Sequence, residues 1–394
     1  MTAAPALLLL DPPHDAPAWA PFARVRPVAE LRAGALAPHE RWARRLGTAP
    51  AAGVHAPGLD GPPDPDGLAL LGAAELAGPA WVARSDVAVA LGAAPAPATR
   101  CLTLDGEAVA WRLAAGERWP DAMPGGPAEA VDGVRLRGAW DLVTALERLL
   151  GADVEALRHD GGGLPLPRET LVIGDATRVL VRSDRLEPGI VLDVRGGDIV
   201  VEAGAEVRHG TRLEGPCWIG ADCRIVGGPI RHAAIGPKCT VRGELSTSTF
   251  LGFANKAHDG FVGHSVIGAW VNLGAGTTTS NLKNTYGEVR VDVAPGERLP
   301  TGRQFLGTLF ADHAKTAIGT MLPTGSLVGC GANVVSDGRP PKQTAPFTWD
   351  EGSLMTAEGF VRIAERVLPR RGVAVTPARR AALLALHARL ASRP

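Results

Sequence analysis

An aliphatic residue occupies every sixth position over a long stretch of the second half of the chain. The register begins with Val201, Val207, Leu213, Ile219 and Ile225. Four positions after each of the first four comes a small residue: Ala205, Thr211, Cys217 and Cys223. A triangular parallel β-helix needs this combination, because the aliphatic side chain fills the core and the small one fits beneath a corner. The repeat therefore predicts a β-helix.

The same unit recurs after short interruptions. Ile235 with Cys239 repeats it, and Phe261, Ile267 and Leu273 continue it. Glycine directly follows the aliphatic residue where a tight corner would need it, at Gly220, Gly236, Gly268, Gly274 and Gly319. The cysteines on this register are expected to be corner fillers, and Cys330 to be a packing residue. The five cysteines are an odd number and include no C-x-x-C pair of the kind used for zinc or redox chemistry, so structural thiols are expected.

Residues 1–158 are predicted to form a separate mixed α/β domain. A helix within Val28–Arg45, interrupted near Pro38, and a strand within Trp81–Leu91 are expected. Arg100–Leu113 is typical of a hairpin around Asp105-Gly106. Trp140–Leu157 carries leucines at helical spacing and is expected to close the domain.

The rest of the chain divides into a linker, the β-helix and a tail. Glycines and prolines mark 159–170 as the linker, and the β-helix is expected over 171–349. The remaining residues, 350–394, are predicted to form a helical tail with a short helix at Pro377–Leu390.

Charge and hydropathy exclude two classes of partner. The 41 basic and 41 acidic side chains give a net charge of zero, so there is no basic field for nucleic acid. The early apolar run Ala6–Leu10 is far shorter than the roughly 20 residues of a membrane span. A cytoplasmic protein acting on a small molecule is expected.

The rare polar residues are concentrated in one window. All five lysines, all five asparagines and the single tyrosine lie between Lys238 and Lys342, about a quarter of the chain. Elsewhere the composition avoids these residue types in favour of Ala, Arg, Gly and Pro. We therefore expect the chemistry to lie in this window, against the alternative of a plain difference in domain composition.

A motif in this window interrupts and then restarts the repeat. It runs Asn255-Lys-Ala-His-Asp-Gly-Phe261 and continues to Asn272-Leu-Gly-Ala-Gly-Thr277. Three further motifs follow, at Asn281–Gly287, Asp312–Thr316 and Gly338–Lys342. Together with Arg26-Pro-Val-Ala-Glu-Leu-Arg32, they resemble the alternative bacterial branch of the GlmU-type family, the bifunctional glucosamine-1-phosphate N-acetyltransferases and N-acetylglucosamine-1-phosphate uridyltransferases.

The resemblance implies a left-handed hexapeptide-repeat β-helix, a homotrimer and acetyl-CoA as co-substrate. It places the general base at His258, which takes a proton from the sugar ammonium, a task that imidazole suits near neutral pH. It places a carboxylate near the amino sugar at Glu244, a sugar-binding amide at Asn272, and an oxyanion-binding N–H near Ala275. The other acetyl-CoA contacts it implies are Thr320, Gly329, Cys330 and Lys342.

Two departures from the family pattern concern the substrate. Phe261 stands where the family has tyrosine, and Ser246 stands where it has a basic residue. Positive charge for the substrate phosphate must then come from another residue, with Lys256, Lys283 and Lys315 as the alternatives. The remaining substrate contacts expected from the resemblance are Phe261, Asn281 and Tyr286.

The amino-terminal domain lacks the family's Gly-rich phosphate loop and its Pro-Lys, and the chain has no lysine before Lys238. The residues offered for a triphosphate are Arg24, Arg26 and Arg32. Asp86 and Asp105, which end apolar segments, are the candidates for metal carboxylates, and no set of metal ligands is predicted. UTP and Mg²⁺ are expected only if this domain is an active nucleotidyltransferase; the alternative is a remnant or sugar-nucleotide-sensing domain.

The sequence thus predicts acetyl transfer to glucosamine 1-phosphate or a related amino-sugar phosphate, with possible uridylyl transfer giving UDP-N-acetylglucosamine. Two rival functions remain. A γ-carbonic-anhydrase-like zinc enzyme shares the β-helix, but His258 and His264 are not predicted to converge and no third histidine completes a set. The second rival is a non-catalytic trimeric scaffold. Such a scaffold would not require the lysines and asparagines to be concentrated in one window.

Overall fold

The computed structural model describes residues 5–121, 125–335, 339–349 and 353–391. Gly338 of the predicted Gly338–Lys342 motif, and residues 350–352 and 392–394 of the predicted tail, lie outside these ranges. The helices within them are α1 (Pro38–Leu46), α2 (Asp141–His159), α3 (Ala357–Val367) and α4 (Pro377–Ala391). Short 3₁₀ helices lie at Pro17–Trp19, Val28–Glu30, Ala73–Glu75, Ala176–Arg178 and Leu368–Arg371.

The strands are numbered in chain order. Those of the amino-terminal domain are β1 (Ala6–Leu10), β2 (Gly53–His55), β3 (Ala80–Arg84), β4 (Val87–Val89), β5 (Cys101–Leu104), β6 (Glu107–Leu113), β7 (Ala128–Ala130) and β8 (Gly133–Arg135). Those that follow, up to the middle of the second half, are β9 (Leu171–Ile173), β10 (Val179–Val181), β11 (Val191–Asp193), β12 (Ile199–Val201), β13 (Glu206–Val207), β14 (Thr211–Ile219), β15 (Arg224–Ile225), β16 (Gly228–Ile235), β17 (Thr240–Val241), β18 (Leu245–Phe250) and β19 (Asn255–Lys256). The remainder are β20 (Val262–Gly263), β21 (Val266–Ile267), β22 (Thr278–Thr279), β23 (Arg290–Ala294), β24 (Glu297–Pro300), β25 (Thr308–Phe310), β26 (Lys315–Thr316), β27 (Met321–Leu322), β28 (Ser326–Val328), β29 (Asn333–Val334), β30 (Gln343–Thr344), β31 (Thr348–Trp349) and β32 (Ser353–Leu354).

A six-stranded mixed sheet in the order β2-β1-β3-β6-β5-β7 forms the core of the amino-terminal domain. The predicted hairpin is confirmed as β5 and β6, with positive φ at both Asp105 and Gly106, as a two-residue hairpin turn requires. The predicted strand over 81–91 is instead split into β3 and β4. The helix expected from Val28 begins only at Pro38, because proline suits the first helical position and lacks the N–H that a helix interior needs.

The second half is a parallel β-solenoid, which confirms the predicted fold class. Its first face contains β9, β11, the starts of β14, β16 and β18, then β20, β22 and β27. The second face contains β10, β12, the ends of β14, β16 and β18, then β21, β25, β28 and β30. The third face contains β13, β15, β17, β19, β26, β29 and β31.

The solenoid core follows the predicted six-residue register. All five aliphatics of the first run have no exposed surface, and Cys217, Cys223 and Cys239 are equally buried. One position differs from the prediction: Val262 fills the core where Phe261 was expected, and Phe261 lies half-buried outside it. The interruption before it adds residues to the corner and shifts the register by one.

The corner glycines are required by the close approach of neighbouring coils. A Cβ on Gly236 would lie 2.2 Å from the carbonyl oxygen of Leu251 on the next coil. A Cβ on Gly274 would lie 2.5 Å from the main chain of Ala317. Neither glycine has a positive φ, so the reason is space rather than backbone conformation.

The amino-terminal domain packs on the outer side of the second face. On α2, the side chains of Leu146, Leu150 and Val154 form one buried cluster with Trp218 and Ala234 of the solenoid. The outward residues of this face are therefore apolar. The predicted helix over Trp140–Leu157 is present as α2; it packs within the first domain and also against the solenoid.

The carboxyl-terminal segment covers the corner between the second and third faces, here called the helix corner. Its helices are α4, where a helix was predicted, and α3, which was not. Phe253 and Trp270 stack at this corner with ring centroids 4.4 Å apart, and Phe347 contacts Phe360 of α3 at 5.0 Å. Within the described ranges, no helix has the length and apolar character needed to cross a bilayer.

An ion pair links the two halves of the chain. Arg26 donates to Asp312 Oδ2 at 2.8 Å from Nε and 2.6 Å from Nη2, and Asp312 Oδ1 accepts from the N–H of Ala269. Asp312 is buried, and the Arg26 side chain keeps only 23% exposure. The pair fixes the position of the segment after β1 against the helix corner.

Replacement of Gly236 by alanine tests the coil contact. The added Cβ must displace main chain, and we expect a cost of about 2–3 kcal/mol, seen as a fall of roughly 5–10 °C in the thermal unfolding midpoint. Gly151→Ala is the control: this glycine is exposed on α2 with open space around it, so alanine should raise stability by about 0.5–1 kcal/mol. Equal midpoints for the two variants would contradict this account.

Replacement of Arg26 by glutamine tests the ion pair. It leaves the buried Asp312 carboxylate without its cation, and we expect a loss of about 2–3 kcal/mol in thermal or chemical unfolding. Arg44→Gln removes an exposed pair with Asp160 and should cost at most about 1 kcal/mol. A cost for Arg26→Gln no larger than that of the control would show that the pair does not hold the halves together.

Candidate active site

The corner between the third and first faces, here called the site corner, carries His258. The chain makes a longer turn here than on neighbouring coils, between Lys256 at the end of one strand and Val262 at the start of the next. Gly260 has a φ of 130°, and a Cβ there would lie 2.2 Å from the carbonyl oxygen of Thr277. The turn is thus pressed against the following coil, and the His258 side chain is exposed.

Lys256 holds this turn from inside the solenoid. Its side chain is buried, with Nζ donating to the carbonyl oxygens of Arg242 at 2.8 Å and His258 at 2.7 Å. Burial lowers the pKa of Lys256 to about 8. The ammonium supports the main chain of His258, which differs from the expected contact with a substrate phosphate.

Glu244 lies on the coil before His258 but does not contact its ring. The carbonyl oxygen of Glu244 accepts from the N–H of Val262, so the two coils are adjacent. The carboxylate pairs with Arg231 at 3.2 Å instead. Within the described part of the chain, the imidazole of His258 has no hydrogen-bond partner. The structure therefore does not show the expected orientation of the imidazole by Glu244.

The next coil brings a free main-chain donor to the same corner. The N–H of Gly276 donates to the carbonyl oxygen of Asp259, and the N–H of Gly319 donates to that of Ala275. These bonds stack Ala275 directly beside the His258 turn, with Thr320 on the coil beyond. The N–H of Ala275 has no acceptor among the described residues. An imidazole and an unpaired N–H on adjoining coils are the groups that acyl transfer to an amine needs.

The third face presents polar side chains beside this corner. Asn255, Asn272 and Lys315 lie in register on successive coils, and Asn255 Nδ2 donates to Asn272 Oδ1 at 2.9 Å. Asn255 belongs to the motif that begins at this position, and no role was expected for its side chain. Its separation from Asn272 is 17 residues, about three six-residue units, and this spacing is the signal that the two side chains meet.

A second group of predicted residues lies at the corner between the first and second faces, here called the loop corner. Asn281 Nδ2 donates to His264 Nδ1 at 2.8 Å, and Lys283 donates to the carbonyl oxygen of Glu288 at 2.6 Å. Tyr286 is exposed, and Lys342 precedes β30 at this corner. Burial lowers the pKa of His264 to about 4. The first face separates this group from His258 within one chain.

Gly329 and Cys330 lie at the helix corner, away from both groups. Cys330 has no exposed surface, and its carbonyl oxygen accepts from the N–H of Phe347 beneath α3. This turn therefore lies at a different corner of the solenoid from Thr320, with which it was expected to line an acetyl-CoA slot. The packing role expected for the Cys330 thiol is consistent with its burial.

Two of the three arginines offered for a nucleotide have side chains engaged elsewhere. Arg26 pairs with Asp312, and Arg32 lies over the ring of Trp218 at 4.5 Å and donates to the carbonyl oxygen of Ala35. Both therefore act at the junction of the two halves. Arg24 is half-buried, and its carbonyl oxygen accepts from Arg389.

A buried carboxylate that sequence analysis missed lies at the end of β1. Asp11 accepts from the N–H groups of Val28 and Ala29, at 2.6 and 3.1 Å, from His14 at 2.9 Å and from the Ser85 hydroxyl. No short motif signals this role, because its partners come from three separate segments.

The carboxylates of Asp11, Asp86 and Asp105 do not form a set of metal ligands by themselves, whereas a magnesium ion held by substrate phosphates needs only one or two carboxylates. Asp11 is fully occupied by the donors just described, Asp86 forms a two-bond pair with Arg84, and Asp105 is at an exposed hairpin tip. Across the described ranges, no three His, Cys, Asp or Glu side chains are placed to hold a metal ion.

Comparison with known proteins agrees with this two-part architecture. Residues 7–161 match the family described as sugar nucleotidyl transferase. A bifunctional sugar-1-phosphate nucleotidylyltransferase/acetyltransferase of Sulfurisphaera tokodaii is 35% identical over 91 residues, which are 23% of this chain and 22% of that protein. The matched segment thus spans about a fifth of the relative. A nucleotidyltransferase-like domain followed by a parallel β-solenoid, with this relative, fits a GlmU-like hexapeptide-repeat protein.

Proposed function

We propose that the solenoid transfers an acetyl group from acetyl-CoA to the amine of glucosamine 1-phosphate or a closely related amino-sugar phosphate. The observation that carries this proposal is the stacking of the turn that bears the exposed His258 against the turn of Ala275, whose N–H has no acceptor among the described residues, with the amides of Asn255 and Asn272 on the adjoining face. The acetyltransferase activity in the name of the Sulfurisphaera tokodaii relative supports the reaction type.

The site residues have distinct tasks in this reaction. His258 removes a proton from the sugar ammonium, and the free amine attacks the thioester carbonyl carbon. The N–H of Ala275 donates to the oxyanion that forms there. When the carbon–sulfur bond breaks, the imidazolium gives its proton to the thiolate of coenzyme A, and the nitrogen of the new amide releases its second proton to solvent, so one proton is released per turnover. Asn272 orients the sugar through its amide.

A homotrimer accounts for the division of the predicted residues between two corners. In one chain, the first face separates Asn281, Lys283, Tyr286 and Lys342 from His258. Packing of the loop corner of one subunit against the site corner of another would complete the site. Parallel β-helices of this class typically form trimers. We place the enzyme in the cytoplasm, where acetyl-CoA is made and used.

We further propose that the amino-terminal domain transfers a nucleotidyl group to the acetylated sugar phosphate, with UTP as donor and UDP-N-acetylglucosamine as product. The matched family of residues 7–161 supports nucleotidyl transfer in general. Because Asp11, Arg26 and Arg32 are engaged in contacts within the chain, the second candidate is a catalytically inactive domain, either a remnant or one that senses sugar nucleotides without turning them over. The γ-carbonic-anhydrase-like alternative gains no support, since His258 and His264 lie at different corners.

Replacement of His258 by alanine tests the general base. We expect acetyl transfer to fall by about 10²–10⁴-fold with the oligomer intact, because the ammonium keeps its proton. Acetyl transfer is measured by release of the coenzyme A thiol, and assembly by sedimentation. His209→Ala is the matched control, an exposed histidine at the same corner nearer the start of the solenoid. Near-normal turnover in His258→Ala would rule out this assignment.

A product assay distinguishes the candidates for the amino-terminal domain. The intact protein is incubated with glucosamine 1-phosphate, acetyl-CoA, UTP and Mg²⁺, and products are identified by mass spectrometry. We expect UDP-N-acetylglucosamine. N-acetylglucosamine 1-phosphate alone would support the acetyltransferase and the sensing domain, and absence of both products would contradict the proposed function.

A further inference from the structure

A cavity of about 520 Å³ lies between the third face and the segment that follows α3. Asn255, Asn272 and Lys315 line its floor, and Ala257, next to His258, lines one side. Arg370 and Arg371 of the 3₁₀ helix Leu368–Arg371 cover it. The cavity therefore begins at the candidate active site and extends under the carboxyl-terminal segment. Its volume is within the usual range for a small-molecule site.

The covering segment is anchored at both ends of its turn. At its start, Leu368 is buried. At its end, Arg371 Nη2 donates to Asn255 Oδ1 at 3.3 Å, and the carbonyl oxygen of Arg371 accepts from Lys238 Nζ at 3.4 Å. Gly372 ends the turn with a φ of 71°, which glycine adopts without strain. The two arginines are thus held over the third face by the chain's own contacts.

The charge of the cavity is unbalanced. Four cationic side chains line it, namely Arg224, Lys315, Arg370 and Arg371, and no carboxylate is among the described lining residues. One acid outside the lining, Glu206, contacts Arg224 at 3.4 Å, but it also pairs with Arg185 and Arg208. Burial, and then the neighbouring Arg224 and Arg370 among other charges, lower the pKa of Arg371. Cations held together in this way favour a bound anion.

The donors suit a phosphate group. Arginine forks bind phosphate oxygens through paired N–H groups, and Lys315 adds a point charge. Lys315 uses only one of its three N–H bonds in the described structure, toward the carbonyl oxygen of His313 at 2.9 Å. The other two lysines do not line this cavity: Lys256 donates to main-chain carbonyls inside the solenoid, and Lys283 donates to the carbonyl oxygen of Glu288.

We infer that this cavity is a phosphate-binding site, formed by Lys315 of the third face and by Arg370 and Arg371 of the carboxyl-terminal segment. It serves the phosphate of one of the two acetyl-transfer substrates. The adjoining Asn272 favours the phosphate of the amino sugar, and a phosphate of coenzyme A has the same chemistry. The inference rests on the proposed function for the identity of the ligand, but not for the binding of phosphate.

Charge reversal at Arg370 tests the site in the intact protein. Arg370 is exposed, and its side chain has no hydrogen-bond or ion-pair partner in the described ranges, so Arg370→Glu should fold normally. We expect the dissociation constants of glucosamine 1-phosphate and of inorganic phosphate, measured by calorimetry, to rise by about 10- to 100-fold. Arg362→Glu on α3 makes the same charge change outside the cavity and should alter binding less than twofold.

A second variant and a second ligand separate the outcomes. Lys315→Gln should weaken the same ligand from the other side of the cavity. If acetyl-CoA binding weakens and glucosamine 1-phosphate binding does not, the phosphate belongs to coenzyme A. Phosphate binding that depends on Arg370 without any acetyl transfer would reject the proposed function and keep the site. Unchanged binding of all three ligands in both variants would overturn the inference.

Discussion

The main chains of successive solenoid coils touch at their corners, and the rest of the structure depends on this contact. A Cβ on Gly236 or on Gly260 would lie 2.2 Å from a carbonyl oxygen of the next coil. Because the coils are this close, residues one coil apart in sequence become neighbours in space. Asn255 meets Asn272 on the third face, and the His258 turn meets Ala275 at the site corner. The candidate site is therefore formed by several stacked coils together, and no single segment of the chain contains it.

The same stacking creates an outer apolar surface that has to be covered. Trp218 and Ala234 face outward on the second face, and α2 covers them with Leu146 and Leu150. Burial of this surface brings charged groups to the junction, where Arg26 meets Asp312 and Arg32 lies over Trp218. Arg26 and Arg32, which the sequence offered as ligands of a nucleotide, thus connect the two halves of the chain. Asp11 similarly uses its buried carboxylate to hold the segment after β1.

The lysines of the polar window have different tasks that depend on which way each one points. Lys256 occupies an inward position, where a core aliphatic would otherwise lie, and supports the main chain of His258. Lys315 occupies an outward position in register with Asn272 and faces the cavity under Arg370 and Arg371. Alternation along a strand separates these two roles, although both residues carry the same charge. The proposed phosphate site thus combines a solenoid face with a segment some fifty residues later in the chain.

The sequence by itself determined the solenoid, its core residues, the buried cysteines and the hairpin at Asp105-Gly106, because each depends on local periodicity or turn chemistry. Only the tertiary structure decided the register at Val262, where one longer corner shifts the repeat. It also decided the helix corner position of Cys330, the separation of Asn281 from His258, and the commitment of Arg26 to Asp312. These features depend on which surfaces pack together over long separations in the chain, and no local pattern encodes that choice.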